Sequence, residues 1–278
     1  MRIKHPCAKI NLGLNIVSKR ADGYHNLETI FYPIPLYDKL EVNVTDKTFL
    51  NGKPYKLEMG GICVDGEDDK NLVVKAYMTL REKFNLPRVH ILLYKNIPTG
   101  AGMGGGSSDC ASMISALNQE FKLNLSRQEM ERIAAQLGAD CAFFINSEPA
   151  FATGIGDIMQ PMDLSLKEFY IVIIKPNIHV STAEAFANIK PRIPERSAKD
   201  IVMQPIETWR DELNNDFEDS VFINYPEIKE IKEKLYDMGA LYAAMSGSGS
   251  SVFGLFRKYD EFMKEKFKGM FCEIKKMI

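Results

Sequence analysis

The pattern of hydrophobic and polar positions predicts both strands and helices. Short apolar runs and alternating segments, typical of strands, occur at residues 7–17, 89–94, 169–174, 241–245 and 251–256. Apolar residues spaced three or four apart predict helices over residues 72–84 and from Ser107 to Leu117. A further helix is predicted between Ser126, which forms a capping-box pattern with Glu129, and Gly138.

The remaining segments give weaker patterns. Residues 31–44 and 48–64 alternate irregularly, with turn pairs at Asn51-Gly52 and Gly60-Gly61, and we predict β-hairpins there. A helix is predicted to begin near Ser181 and Thr182. The proline- and charge-rich segment 191–197 is predicted to be a surface loop.

A glycine-rich loop joins the predicted strand 89–94 to the helix that begins near Ser107. Five of the 19 glycines lie within residues 100–106. Glycine has no Cβ, so such a loop brings its backbone close to a ligand. The unpaired amides at the start of a helix carry a partial positive charge. The junction therefore predicts a phosphate-binding site.

The common phosphate-binding loops do not fit this junction. Gly100-x-Gly102-x-x-Gly105 matches the dinucleotide fingerprint, but a second helix follows where that fold requires a strand, and Glu120 lies at a helix end. A Walker A loop requires a lysine after Gly106, where the chain has serine. The His-Arg-Asp and Asp-Phe-Gly motifs of protein kinases are absent from the sequence.

Composition narrows the class of protein. The chain has 278 residues, 45% of them hydrophobic and 26% charged, which is typical of a soluble globular protein with one large or two smaller domains. A net charge of −2 disfavours nucleic acid as a partner. The longest central apolar run, residues 169–174, is too short to span a membrane. Five scattered cysteines and an N-terminus without an apolar segment predict a cytoplasmic protein with reduced thiols.

Several motifs together resemble the GHMP kinases. Residues 104–108, Gly-Gly-Gly-Ser-Ser, resemble the second motif of that family, and residues 245–254 resemble its third. The resemblance implies an α+β, two-domain fold. It places an N-terminal α/β domain with left-handed βαβ character at residues 1–160 and a C-terminal ferredoxin-like α/β domain at residues 161–278.

Two further motifs resemble one branch of the family. These are Ala8-Lys9-Ile10-Asn11-Leu12 and Arg20-Ala21-Asp22-Gly23-Tyr24-His25. The branch phosphorylates the 2-hydroxyl of 4-diphosphocytidyl-2-C-methyl-D-erythritol in the non-mevalonate route to isoprenoid precursors. The resemblance implies ATP and Mg²⁺ as cofactors, a small-molecule substrate, no nucleic-acid or membrane partner, and a monomer or weak homodimer. No residue is assigned as a ligand of the metal.

The resemblance assigns catalytic roles to Lys9 and Asp140. In the family the lysine lies beside the reacting hydroxyl and the aspartate is the catalytic base. From the residues alone, a solvent-facing strand face explains Lys9 and Asn11 slightly better than catalysis does, and a plain turn residue is the favoured explanation of Asp140.

The resemblance also assigns binding residues. Those expected at ATP are Asn71, Lys95, Pro98, Gly100, Gly102, Gly104, Gly105, Gly106, Ser107 and Ser108. Those expected at the alcohol substrate are Asn11, Tyr24, His25 and Phe186. Without the resemblance, Asn71 is explained as a helix cap, Phe186 as a core residue, and Tyr24 with His25 as a surface pair. Thr153 stands where the family often has arginine.

Two other functions compete with this interpretation. A GHMP kinase for another small alcohol would share the glycine-rich loops but not the motif at residues 20–25. A non-catalytic module that binds a nucleotide or RNA would use the same fold without turnover.

Overall fold

The structure is a computed structural model that describes residues 2–49, 52–64 and 66–278. The strands are β1 (Arg2–Lys4), β2 (Cys7–Lys19), β3 (His25–Tyr37), β4 (Lys39–Val44), β5 (Tyr55–Gly61), β6 (Val89–Lys95), β7 (Ala150–Thr153), β8 (Ile158–Pro161), β9 (Tyr170–Lys175), β10 (Tyr242–Met245), β11 (Val252–Phe256) and β12 (Phe271–Lys276). The α-helices are α1 (Leu72–Phe84), α2 (Gly105–Glu120), α3 (Arg127–Leu137), α4 (Thr182–Ala187), α5 (Ala198–Ile201), α6 (Trp209–Glu212), α7 (Phe217–Asn224) and α8 (Pro226–Asp237).

The described residues form two compact units that interleave along the chain. The first unit contains the chain up to Ala8, Leu36–Thr99 and Gly104–Ser147. The second contains Lys9–Pro35, Gly100–Met103 and Glu148–Ile278. The division of the sequence at residue 160 remains a prediction.

The first unit is built on a four-stranded sheet in the order β1-β4-β6-β5. Strands β5 and β6 run parallel and are joined through α1, which makes a βαβ unit. Buried side chains of α1, α2 and α3 form one hydrophobic core with those of the sheet. Among them, Tyr77, Leu80 and Ile114 are fully buried.

The second unit contains two four-stranded sheets. One has the order β2-β3-β7-β8, and the other is antiparallel with the order β10-β11-β9-β12. In the latter sheet β9 is the first strand along the chain, and it pairs with β11 and β12. Helical segments lie between β9 and β10 and between β11 and β12. This is the split βαβ arrangement of ferredoxin-like folds. The expected α+β class with a ferredoxin-like C-terminal half is thereby confirmed.

Most of the predicted local elements are confirmed, with their caps. Ser126 and Glu129 form both bonds of the capping box at α3, and the Asn71 side chain accepts a hydrogen bond from the amide of Val73 at 2.9 Å. Residues 191–197 form an irregular loop, as predicted.

The two predicted hairpins are wrong. The segment 31–44 divides between β3 and β4, which belong to different sheets, and β5 pairs in parallel with β6. The turn predicted at Asn51-Gly52 lies partly outside the described residues, since Asn51 is not among them.

Across the described ranges, no helix combines the length and apolar character needed to cross a membrane.

The capping box at α3 yields a direct test of local stability. Replacing Ser126 with alanine removes the side-chain oxygen that accepts from the Glu129 amide at 3.3 Å. We expect Ser126→Ala to lower the free energy of unfolding by about 1 kcal/mol. Urea titration followed by circular dichroism measures the change. Ser126→Asn, which keeps a capping oxygen, is the matched control, and an equal loss in both variants would contradict the role of the cap.

Candidate functional site

Strand β2 carries Lys9 and Asn11 on one buried face. Their side chains are only 4% and 2% exposed, so the face is covered and the solvent-facing alternative is excluded. The Lys9 ammonium donates to Asn11 Oδ1 at 2.6 Å, and Asn11 Nδ2 donates to Thr29 Oγ1 at 2.9 Å. The ammonium also lies 4.8 Å from the centre of the Phe31 ring. These contacts hold a positive charge in a defined position inside the second unit.

Three motifs that are far apart in the sequence meet at the start of β2. The Lys9 amide donates to the carbonyl oxygen of Met103 at 3.0 Å, which ties the strand to the glycine-rich loop. The Ser246 hydroxyl donates to the carbonyl oxygen of Gly102 at 3.0 Å. Residues 9, 102–103 and 246 all belong to the second unit. The polar strand, the first half of the glycine-rich loop and the serine-rich loop therefore form one arrangement.

Asn215 holds the serine-rich loop in place. Its Nδ2 donates to the carbonyl oxygens of Met245 at 2.7 Å and Gly247 at 2.9 Å. Its Oδ1 accepts from the amide of Phe217 at 3.0 Å. Because Asn215 is buried, these bonds satisfy backbone groups that water does not reach.

The second half of the glycine-rich loop starts α2. Gly100, Gly102 and Gly104 have φ values of 59°, 74° and 68°, in the left-handed region that favours glycine. Gly104 occupies the N-cap of α2 and has no side chain to cover the amides of the first turn. These amides belong to Gly105, Gly106 and Ser107, and they make the N-terminus of a 16-residue helix a suitable anion site.

A buried ionic cluster lies beneath the first turn of α2. Lys95 at the end of β6 forms ion pairs with Asp38 and with Asp109, the latter at 2.6 Å from Nζ to Oδ2. All three side chains are at most 3% exposed. Burial raises the pKa of the Asp109 carboxyl to about 7 despite the opposing effect of Lys95, and the neighbouring Asp38 contributes to the rise. Lys95, which is predicted to lie at ATP, is thus buried against the first turn of α2, where the glycine-rich loop ends.

Asp140 lies in a short 3₁₀ turn, Ala139–Cys141, directly after the end of α3 at Gly138. The side chain is half-buried. Its neighbour Cys141 is fully buried. A hydrogen bond with Cys110, and a weaker effect of one with Ser107, lower the pKa of the Cys141 thiol. The turn that carries Asp140 is therefore anchored to the first turns of α2.

The motif at residues 20–25 forms a tight turn that presents an aromatic side chain. Asp22 receives hydrogen bonds from the Arg20 guanidinium at 2.8 Å and from the Tyr24 amide at 3.1 Å. Tyr24 is 62% exposed, which leaves its ring available to a ligand. The His25 ring stacks on Phe186, with ring centres 4.9 Å apart and an 18° angle between planes. Phe186 therefore contacts the imidazole and orients it.

The predicted site residues divide between the two units. The first unit contains Asn71, Lys95, Pro98, Gly104, Gly105, Gly106, Ser107, Ser108 and Asp140. The second contains Lys9, Asn11, Tyr24, His25, Gly100, Gly102 and Phe186. Within the described ranges, no group of three His, Cys, Asp or Glu side chains is placed to hold a metal ion.

Four buried polar residues that support these positions are not predicted by the sequence patterns. They are Thr29, Asp38, Asp109 and Asn215. Asp109 directly follows the glycine-rich motif at residues 104–108, but nothing in the spacing of Asp109 or Asn215 indicates burial. Thr29 and Asp38 gain their roles from partners distant in sequence, for which the chain carries no local signal.

The close approach at Gly102 predicts a specific cost of adding a side chain. A Cβ at this position would overlap the carbonyl oxygen of Ser246. We expect Gly102→Ala to lower the free energy of unfolding by about 3–5 kcal/mol, from the overlap and the positive φ together. Gly239→Ala is the matched control, because Gly239 has a φ of 94° with nothing within 4 Å. Denaturant titration measures the free energy of unfolding of both variants. Equal losses would show that the positive φ alone accounts for the cost and that the overlap with Ser246 contributes nothing.

Family models match both halves of the chain. The model for the GHMP kinases N terminal domain matches residues 71–148, and the model for the GHMP kinases C terminal domain matches residues 197–270. Among solved structures, a 4-(cytidine 5'-diphospho)-2C-methyl-D-erythritol kinase superposes with a TM-score of 0.82 at 29% identity and covers 98% of each chain. The mevalonate kinase of Methanococcus jannaschii shares the fold, with a TM-score of 0.71 at 14% identity over 100% of this chain and 98% of that one.

Curated relatives match nearly the whole chain. A 4-diphosphocytidyl-2-C-methyl-D-erythritol kinase from Bacteroides fragilis is 55% identical over 97% of both chains. The protein of that name from Parabacteroides distasonis is 51% identical over 94% of this chain and 93% of its own. Motifs, fold and full-length identity agree, so the chain belongs to the 4-diphosphocytidyl-2-C-methyl-D-erythritol kinase family within the GHMP kinases.

Proposed function

We propose that this protein transfers the γ-phosphoryl group of ATP to the 2-hydroxyl of 4-diphosphocytidyl-2-C-methyl-D-erythritol. The observation that carries the proposal is the meeting of three motifs in the second unit. There the buried ammonium of Lys9 lies on a strand that is hydrogen-bonded to the glycine-rich loop, which in turn is bonded to Ser246. The identity of 55% to a curated kinase of that name supports the choice of substrate.

Phosphoryl transfer depends mainly on positioning and charge stabilisation. In our proposal the amides from Gly102 to Ser108 hold the phosphates of ATP, with Gly100 and Pro98 shaping the loop and Asn71 beside the adenine. Mg²⁺ enters with ATP as part of that substrate and neutralises phosphate charge. Lys9 stabilises the negative charge that develops during transfer, and Asn11 fixes the direction of its ammonium. Asp140 accepts or orients the proton of the attacking hydroxyl.

The cytidine end of the substrate requires an aromatic surface and a polar edge. Tyr24 offers an exposed ring for stacking. His25, held face to face by Phe186, directs its ring nitrogens toward hydrogen-bonding groups of the base. The diphosphocytidyl group thus supplies binding energy remote from the reacting hydroxyl. We place the reaction in the cytoplasm, in a monomer or weak homodimer.

A substrate panel tests the proposal directly. Release of ADP is followed in a coupled assay with ATP, Mg²⁺ and either 4-diphosphocytidyl-2-C-methyl-D-erythritol, homoserine or mevalonate. We expect turnover only with the cytidine diphosphate-linked alcohol. Equal turnover with another alcohol would reassign the substrate, and nucleotide binding without turnover would indicate a binding module.

Removal of the carboxylate at residue 140 should abolish most of the turnover. Asp140→Asn keeps the size of the side chain but cannot accept a proton, so we expect kcat to fall by about 10²- to 10⁴-fold with little change in either KM. Steady-state kinetics measures the loss, and circular dichroism verifies the fold. Asp46→Asn changes an exposed aspartate and controls for the lost charge. Near-normal kcat in folded Asp140→Asn would remove Asp140 from the mechanism.

Loss of the aromatic surface should weaken the alcohol substrate selectively. We expect Tyr24→Ala and His25→Ala each to raise the KM for the alcohol by about 5- to 150-fold, since stacking contributes about 1–3 kcal/mol per base. The KM for ATP should stay within about twofold of the wild-type value. Tyr94→Ala replaces another exposed tyrosine, 52% exposed on β6, and is the matched control. An unchanged KM for the alcohol would place the cytidine elsewhere.

A further inference from the structure

The cluster of Asp38, Lys95 and Asp109 has more negative than positive charge. Two carboxylates contact one ammonium, and the three groups are excluded from solvent. Asp38 is otherwise well paired, since its Oδ1 accepts from the amides of Asn96 and Ile97, the latter at 2.8 Å. Among the described residues, Asp109 Oδ1 has no hydrogen-bond partner although it is buried. The unpaired oxygen makes Asp109 the member of the cluster that is best stabilised by a proton.

The cluster lies against the backbone that is proposed to hold phosphate. A Cβ at Gly105, the first residue of α2, would lie 3.3 Å from Lys95 Nζ. Asp109 is part of the second turn of the same helix. Asp38 binds the amides of Asn96 and Ile97, which begin the chain segment leading into the glycine-rich loop. Each of the three residues therefore belongs to or contacts either the segment that leads into the glycine-rich loop or the helix α2 that follows it.

We propose that Asp38, Lys95 and Asp109 position the phosphate loop, and that ATP binding is coupled to uptake of a proton by this cluster at Asp109. The proposal rests on the proposed function, because it takes the N-terminus of α2 as the site of the triphosphate. Asp109 is a positioning residue here, since it acts through Lys95 and the helix rather than by touching the nucleotide.

The coupling follows from charge. With both carboxylates ionised the cluster carries a net charge of −1, which opposes the approach of a polyanion to Gly105 and its neighbours. With one proton bound at Asp109 the cluster is neutral. ATP therefore binds more tightly to the protonated form, and by linkage ATP binding raises the proton occupancy of the cluster. Burial already brings the pKa of Asp109 to about 7, where such a change matters near neutrality.

Other titratable groups around α2 have separate contacts. Lys4 of β1 reaches Ser115 and Gln119, about two turns further along the helix. The Cys110 thiol adjoins Asp109, but its hydrogen bond with Cys141 and its burial raise its pKa well above the ordinary value of a thiol. The Cys7 thiol near Ser108 likewise has its pKa raised by burial. Among the residues that the structure describes, Lys95 and Asp38 are therefore the charged groups that face Asp109.

Calorimetry measures the proton directly. The wild-type protein and Asp109→Asn are titrated at pH 7 with the Mg²⁺ complex of the non-hydrolysable β,γ-imido analogue of ATP, in buffers that differ in ionisation enthalpy. We expect the wild-type protein to take up a measurable fraction of a proton more than Asp109→Asn. The nucleotide's own protonation is common to both and cancels. Equal uptake in the two proteins would overturn the coupling.

Kinetics supplies a second measurement. Between pH 6.5 and 8.0 the KM for ATP of the wild-type protein should rise by about fivefold or more relative to that of Asp109→Asn. The KM for the alcohol should not show this difference. Asp109→Glu keeps a carboxyl and should restore the pH dependence, which a merely structural role would not require. Parallel pH profiles of wild type and Asp109→Asn would contradict the proposal.

The outcomes separate the two proposals. If the wild-type protein fails to bind the nucleotide, the proposed function is wrong and the coupling is wrong with it. If it binds the nucleotide without proton uptake anywhere between pH 6.5 and 8.0, only the coupling is overturned. If Asp109→Asn does not fold, the proton change expected from ionisation of the nucleotide itself is subtracted from the wild-type value, and no remaining uptake overturns the coupling.

Discussion

The contact between the backbone of Gly102 and the serine-rich loop is the constraint on which the second unit's polar arrangement depends. The carbonyl oxygen of Ser246 occupies space that a side chain at residue 102 would need. Because the two backbones meet there, the Ser246 hydroxyl reaches Gly102 and the adjacent Met103 can accept from the amide of Lys9. Glycine is required at this point for close approach as well as for its positive φ. The position of the buried ammonium on β2 follows from this contact.

Both buried lysines have partners that replace the water lost on burial. Burial of an ammonium group is unfavourable unless partners replace water. Lys95 is paired with two carboxylates, which makes its surroundings negative and suits a supporting role beneath a helix. Lys9 is bonded to the neutral amide oxygen of Asn11 and lies over the ring of Phe31. These two contacts fix the position of the ammonium within the second unit.

The local sequence patterns of this chain predict its helices and strands better than the pairing of its strands. The helix caps at Asn71 and Ser126 depend on neighbours two or three residues away, and they appear as predicted. The predicted hairpins at residues 31–44 and 48–64 are absent because β3 pairs with β2 and β7, β4 pairs with β1 and β6, and β5 pairs with β6. Turn residues favour a reversal of the chain but do not specify which strand lies beside the next. The parallel pairing of β5 with β6 depends on α1, which returns the chain to the same edge.

The sequence by itself determined the family and predicted a phosphate-binding junction and the candidate residues, because glycine spacing and short motifs carry that information locally. It also placed Lys9 and Asn11 on one face of a strand. Only the tertiary structure decided that this face is buried, since alternation defines two faces and not what covers them. The same holds for Asp38, Lys95 and Asp109, which lie at three separate points in the chain and become one charged cluster by packing alone. Burial then raises the pKa of the Asp109 carboxyl, because exclusion of solvent disfavours its charged form. The residue type alone does not indicate this change.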